Sequence, residues 1–157
     1  MHYAPDTTIK EMFWTGTSRL NRLRYLKRSL VVTFVNVLLY MILKAALDVN
    51  IESYVNIGGF DFEVVSELLW ESAPEFLIIS SALDIIGAVF LYKLDVRRLK
   101  DLSKDNKLAI IVFVCAVVGH VLPYVSIIGA FISVYLLLAK GVEGDNIYGP
   151  DPLEGRR

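Results

Sequence analysis

Asp84 is the one acid in the apolar run 76–92. An ionisable group at the centre of a bilayer costs at least ~2.5 kcal/mol, so it is expected to face a partner or a wet cavity. Lys44 and His120 fall toward the same outer half of the membrane, with Tyr40 one helical turn from Lys44, and Lys44, Asp84 and His120 form a candidate intramembrane polar site. Either the carboxyl is neutral or paired with Lys44 and fixes helix register, or it handles a proton or cation. A second set joins opposite charges: Arg19, Arg22, Arg97 and Arg98 with Asp101, Asn146, Tyr148 and Asp151. Guanidinium forks bind carboxylate or phosphate bidentately. These arginines therefore either pair internally and lock the C-terminal segment under the helices, or hold anionic lipid headgroups at the cytoplasmic face.

Other chemistries lack their residues. His2 and His120 have no cysteine or carboxylate at metal-ligand spacing, so no metal and no cofactor is expected. Cys115, the one cysteine, sits among Val, Phe and Ala and reads as a packing residue. No nucleophile elbow or triad spacing occurs. The segment Gly144-Asp145-Asn146-Ile147-Tyr148-Gly149-Pro150-Asp151-Pro152 follows a helix and lacks the Gly-Lys-Ser/Thr ending of a phosphate loop. It reads instead as a rigid series of turns. No catalytic residues are assigned and the chain is expected not to be an enzyme. The basic stretch 19–28 carries a leucine stripe and abuts an apolar run, which points to a membrane surface rather than nucleic acid.

The elements that must position these residues follow from hydropathy. The chain has 157 residues, is 55% hydrophobic and has a mean hydropathy of +0.52, too apolar for an ordinary soluble domain. Its net charge of -1 hides a segregation of basic and acidic stretches. Residues 1–29 form a cytoplasmic tail, with Phe13 and Trp14 near a headgroup boundary and a basic amphipathic helix capped at Thr17 or Ser18. The first apolar run starts near residue 30 with no small-residue cleavage site soon after, so no removed signal peptide is expected.

Residues 30–47 make a first span and 76–92 a second. The loop 48–75 holds seven acids (Asp48, Glu52, Asp61, Glu63, Glu67, Glu71, Glu75) and no Lys or Arg, and is expected outside, with a short helix over 62–70. The loop 93–106 is basic and therefore cytoplasmic. The run 108–139 would be roughly 48 Å long as one helix. Gly119, Pro123 and Gly129 mark it as a hairpin, with short spans at 107–122 and 124–139. The tail 140–157 is cytoplasmic. The expectation is an all-α membrane protein with four transmembrane helices, 30–139, and both termini inside. Small residues such as Ala45, Ala46, Ser80, Ser81, Gly87 and Ala88 permit close helix contacts within the bundle, in a homo-oligomer or with a membrane-protein partner.

Three strings carry a family likeness: Ser18-Arg19-Leu20-Asn21-Arg22-Leu23-Arg24-Tyr25, Arg97-Arg98-Leu99-Lys100-Asp101, and Gly141-Val142-Glu143 running on through Pro152. Together they resemble the bacterial inner-membrane family called domain of unknown function 805, over roughly residues 12–152. The chain departs from that pattern at Ser18, Lys100 and Asn106-Lys107, where the family usually has Gly, His, and a small residue followed by Trp. The resemblance implies a small four-helix, multi-pass protein of the inner (plasma) membrane and carries no activity to transfer. The leading expectation is a structural, lipid-associated or partner-binding component. The alternative is a small oligomeric transporter or channel subunit that uses Asp84.

Overall fold

The computed structural model describes residues 6–15, 17–58, 62–119 and 122–153. Among these residues the chain is all-helical. A π-helical turn, Glu11–Thr15, precedes α1 (Arg22–Ala46), α2 (Ile51–Gly58), α3 (Phe62–Ser72), α4 (Pro74–Asp101), α5 (Lys107–Val118) and α6 (Pro123–Leu138). The chain divides into two compact units, one of Met1–Val32 with Ala88–Arg157 and the other of Thr33–Gly87.

In the first unit the core gathers Leu20, Tyr25, Leu94, Leu99, Leu102, Ala109 and Leu136. Here α1 starts later than the expected cap at Thr17 or Ser18. The side chain of Asn21 accepts from Arg24 N–H at 2.9 Å and caps the helix, while Arg19 and Leu20 stay in non-helical chain and are buried. Of the leucine stripe, Leu20 faces the core, whereas Leu23 and Leu30 are exposed.

Similarly, α4 does not stop at Tyr92. The expected loop 93–106 is helical as far as Asp101, because the last turns are buried on several sides, with Leu94 and Leu99 in the core and Arg97 and Arg98 paired beside them, which prolongs the helix beyond its apolar part. It closes with a left-handed Ser103 (φ 55°), and the N–H of Lys104 bonds back to Leu99 O at 2.9 Å. The hairpin is present, and Gly129 lets its arms approach: a Cβ there would lie 3.0 Å from that of Cys115. The 12 residues of α5 and 16 of α6 extend only about 18 and 24 Å.

In the second unit, α1 ends at Ala46 and is closed off by a left-handed Asp48 (φ 51°), with Val49 N–H bonded to Lys44 O at 3.1 Å, the same type of stop. Val49, Leu69 and Phe76 form its core, with Leu43, Tyr54 and Val65 packed against them, and Tyr40 meets Phe76 edge-on at 5.3 Å. The acidic segment therefore holds two helices, α2 and α3, where one was expected. The ambiguity lay in Ile51, Tyr54 and Val55, an apolar set too brief to show a helical period by itself.

Candidate functional site

The site is built where the non-helical chain before α1 meets the end of α4. Leu20 N–H donates to Arg97 O at 3.2 Å, which sets Arg19 beside Asp101. Arg19 Nε and Nη2 each donate to Asp101 Oδ1 at 3.3 Å. Nη1 donates to Gly144 O at 2.6 Å and Gly149 O at 3.3 Å, and Nη2 also donates to Val142 O at 2.5 Å. A guanidinium has five N–H groups, and all are used.

Arg98 pairs with the other oxygen of the same carboxylate, Asp101 Oδ2. It also donates from Nε to Leu136 O at 2.8 Å, from Nη2 to Ala139 O and from Nη1 to Leu20 O at 3.3 Å. Leu136 and Ala139 lie at the C-terminus of α6, where helix carbonyls lack intrahelical partners and the dipole favours a cation. Arg97 turns the other way. It donates to Ser18 O, Ser18 Oγ, Glu11 O, Met12 O and Asp6 Oδ2, again five acceptors, the last at 2.6 Å. Arg19, Arg97, Arg98 and Asp101 are at most 3% exposed. Charges so far from water persist only when paired and hydrogen-bonded, as these are.

The tail segment is shaped largely by its own side chains. Asn146 Nδ2 donates to Lys100 O at 2.9 Å, and Asn146 Oδ1 accepts from Tyr148 N at 2.8 Å. Asp151 accepts from Gly144 N at 2.9 Å and Leu153 N at 2.9 Å, and Asp145 accepts from Asp151 N at 3.0 Å. Gly149 has φ 130°, a conformation that side chains resist. At Gly141 an added Cβ would fall 2.2 Å from Asp101 Oδ2. Carbonyls rather than acids of the tail are thus presented to Arg19, and Asp145 and Asp151 serve its turns.

Of the expected members, Arg19, Arg97, Arg98, Asp101, Asn146 and Asp151 enter this network through their side chains. Tyr148 enters through its backbone. Arg22 is exposed and lines a cavity of about 90 Å³, room for a few waters, beside Arg98, Lys140 and Glu143. Asp6 and Ser18 were not foreseen. Burial would raise the Asp6 carboxyl, but hydrogen bonds from Arg97 and Arg28 outweigh it and hold the group below the ordinary aspartate range. Also unforeseen is a buried pair in the core of this unit, in which Tyr25 Oη donates to Asp95 Oδ1 at 2.8 Å.

The second unit holds Asp84. Asn36 Nδ2 donates to Asp84 Oδ1 at 3.1 Å, and Gly87 leaves the space that Asn36 fills, since a Cβ there would lie 2.7 Å from that nitrogen. Lys44 stands elsewhere, in the wall of a groove with Asp48, Asn50 and Glu52. His120 lies outside the described residues. Asn36 gave the same signal in the first span that Asp84 gives in the second, a polar side chain in an apolar run. Among the described residues no cluster of His, Cys, Asp and Glu is arranged to hold a metal ion.

These features define a class: an all-helical protein, two of whose helices, α1 and α4, are long and apolar enough to cross a membrane, with none of the apolar window of α1 buried. The family model described as protein of unknown function (DUF805) matches residues 13–150, and the chain belongs to that family. No curated protein and no solved structure matches it. The matched span takes in Arg19, the α4 terminus and most of the tail, while Asp6 and Asp151 lie just beyond it.

Proposed function

We propose that this protein is a non-enzymatic, multi-pass component of the bacterial inner membrane, with four embedded helices and both termini in the cytoplasm. In this reading α1 and α4 supply full spans, and α5 with α6 a shorter pair accommodated by local thinning of the bilayer. Lys93, Arg97, Arg98, Lys100, Lys104 and Lys107 then lie inside, and the acids of 48–75 outside. The observation that carries the functional part is the saturation of Arg19 and Arg97 by acceptors of their own chain. Arginines with no N–H left to offer serve as braces, and the cytoplasmic face becomes a preformed platform for lipids or a partner protein, including a second copy of this chain.

Single-cysteine labelling tests this arrangement. In a Cys115→Ala background, Glu52→Cys in intact inner-membrane vesicles of known orientation should react with an impermeant maleimide only from the periplasmic face, and Lys104→Cys only from the cytoplasmic face. Labelling of both from one face sinks the topology.

The hydrogen-bonded Asn36–Asp84 pair supports a second reading, an oligomeric transporter or channel subunit in which Asp84 handles a proton or cation. Proteoliposomes of the wild type should then show a flux that Asp84→Asn abolishes. No flux in wild-type vesicles removes that reading.

A further inference from the structure

The π-helical turn and the start of α1 enclose a groove of about 470 Å³ that the arginine network does not fill. Arg24, Lys27, Arg28 and Val31 line one side, spaced so that they share one face of α1. Met12 and Phe13 line the other. The groove is therefore basic toward the start of the helix and apolar toward Val31, where the apolar part of α1 begins.

The charges are unequally committed. Arg28 Nη1 lies 2.6 Å from Asp6 Oδ2 and donates to Met12 O at 3.1 Å. Asp6, the acid of the groove, is shared between Arg28 and Arg97 and is outnumbered by them. Lys27 is exposed, and among the described residues no hydrogen bond or ion pair engages its ammonium. Next to Phe13, Trp14 is 47% exposed, packs edge-on against Phe90 at 5.7 Å and carries Lys93 Nζ 5.3 Å from its ring centroid. An indole half-exposed beside a lysine is the arrangement found at the level of lipid headgroups.

The geometry points to a binding site for one anionic glycerophospholipid of the cytoplasmic leaflet, its phosphate on Lys27 and the first part of an acyl chain over Met12, Phe13 and Val31. This rests on the membrane reading above and adds to it a site and a ligand class. Charge complementarity selects the headgroup: the groove is net positive, and each basic residue near such a surface favours an anionic lipid about 5-fold. The apolar wall selects a lipid over a free phosphate, because phosphate would leave Met12, Phe13 and Val31 facing water.

Native mass spectrometry of the full chain, delipidated in detergent and titrated with phosphatidylglycerol or phosphatidylcholine, tests the site, with flotation on vesicles of the same lipids as a parallel readout. The wild type should retain a first phosphatidylglycerol at least ~5-fold more tightly than phosphatidylcholine. Lys27→Gln should lower that affinity about 5-fold, Lys27→Arg should restore it, and the exposed control Lys104→Gln should change it less than 2-fold. Equal binding of the two lipids by a protein that floats with vesicles overturns the site alone. So does an equal loss in Lys27→Gln and Lys104→Gln, which would indicate diffuse surface charge. A chain that fails to float with either vesicle overturns both the site and the membrane reading.

Discussion

Each unit sets an acid among its helices, Asp101 buried in the first and Asp84 half-buried in the second, and the two are met in different ways. Asp101 sits between two guanidiniums that also take carbonyls from the end of α6 and from the tail turns. Asp84 accepts an amide hydrogen bond from Asn36, a neutral partner. The cations around Asp101 outnumber it, and the surplus charge is met by carbonyl dipoles. A charged group can thus organise the main chain of three segments at once, whereas the Asn36–Asp84 bond joins side chains of two helices.

The strongest way to break this contrast is to remove Arg98. Arg98→Ala leaves Asp101 with Arg19 alone and strips the α6 terminus of its cap, so it should destabilise the protein by about 3–5 kcal/mol in thermal unfolding in detergent. Arg98→Lys should recover only part of this, since an ammonium lacks the planar fork. Gly141→Ala comes next at about 1–3 kcal/mol, because its Cβ collides with the Asp101 carboxylate. Asn36→Leu should cost about 0.6–1.7 kcal/mol, the range of hydrogen bonds between membrane helices. Asn36→Leu costing as much as Arg98→Ala in the same melts would erase the contrast.

The smallest effect is one of pH. Asp6 has a folded pKa held below its unfolded value of 3.8, so its ionised form contributes stability that is fully present above pH 3.8. That contribution falls away as pH drops through the lower folded value, when the carboxylate protonates and releases Arg97 and Arg28. Asp6→Asn should therefore lower the melting temperature at pH 7 and converge with the wild type in acid. A deficit unchanged down to the lowest pH tolerated would assign Asp6 a packing role instead.

Much of the node was legible because arginine, aspartate, glycine and asparagine announce themselves in a chain this apolar. Arg19, Arg97, Arg98 and Asp101 could be grouped by topology alone, since they come from two charged segments that abut helix ends expected on the same face. The bonding pattern was not legible: Arg19 reads the carbonyls of Val142, Gly144 and Gly149, and carbonyls are the same in every residue. Asp6 gave no signal, standing in a short mixed segment without periodicity. The Lys44–Asp84 pairing failed for a related reason. Opposite charge favours the pair, but register along α1 puts Asn36, two turns from Lys44, at the acid. The continuation of α4 to Asp101 was hidden by its basic residues, which read as a loop although Arg97 and Arg98 are buried along with Leu94 and Leu99.

Hydrogen–deuterium exchange over residues 141–153, on protein purified without anionic lipid or any added ligand, bears most directly on the arginine brace. The account predicts that the amides of Val142, Gly144, Asn146, Tyr148 and Gly149 are protected in the wild type and exchange rapidly in Arg19→Ala, while α2 and α3 are unchanged. A tail that exchanges freely in the wild type, or stays protected without Arg19, would contradict it.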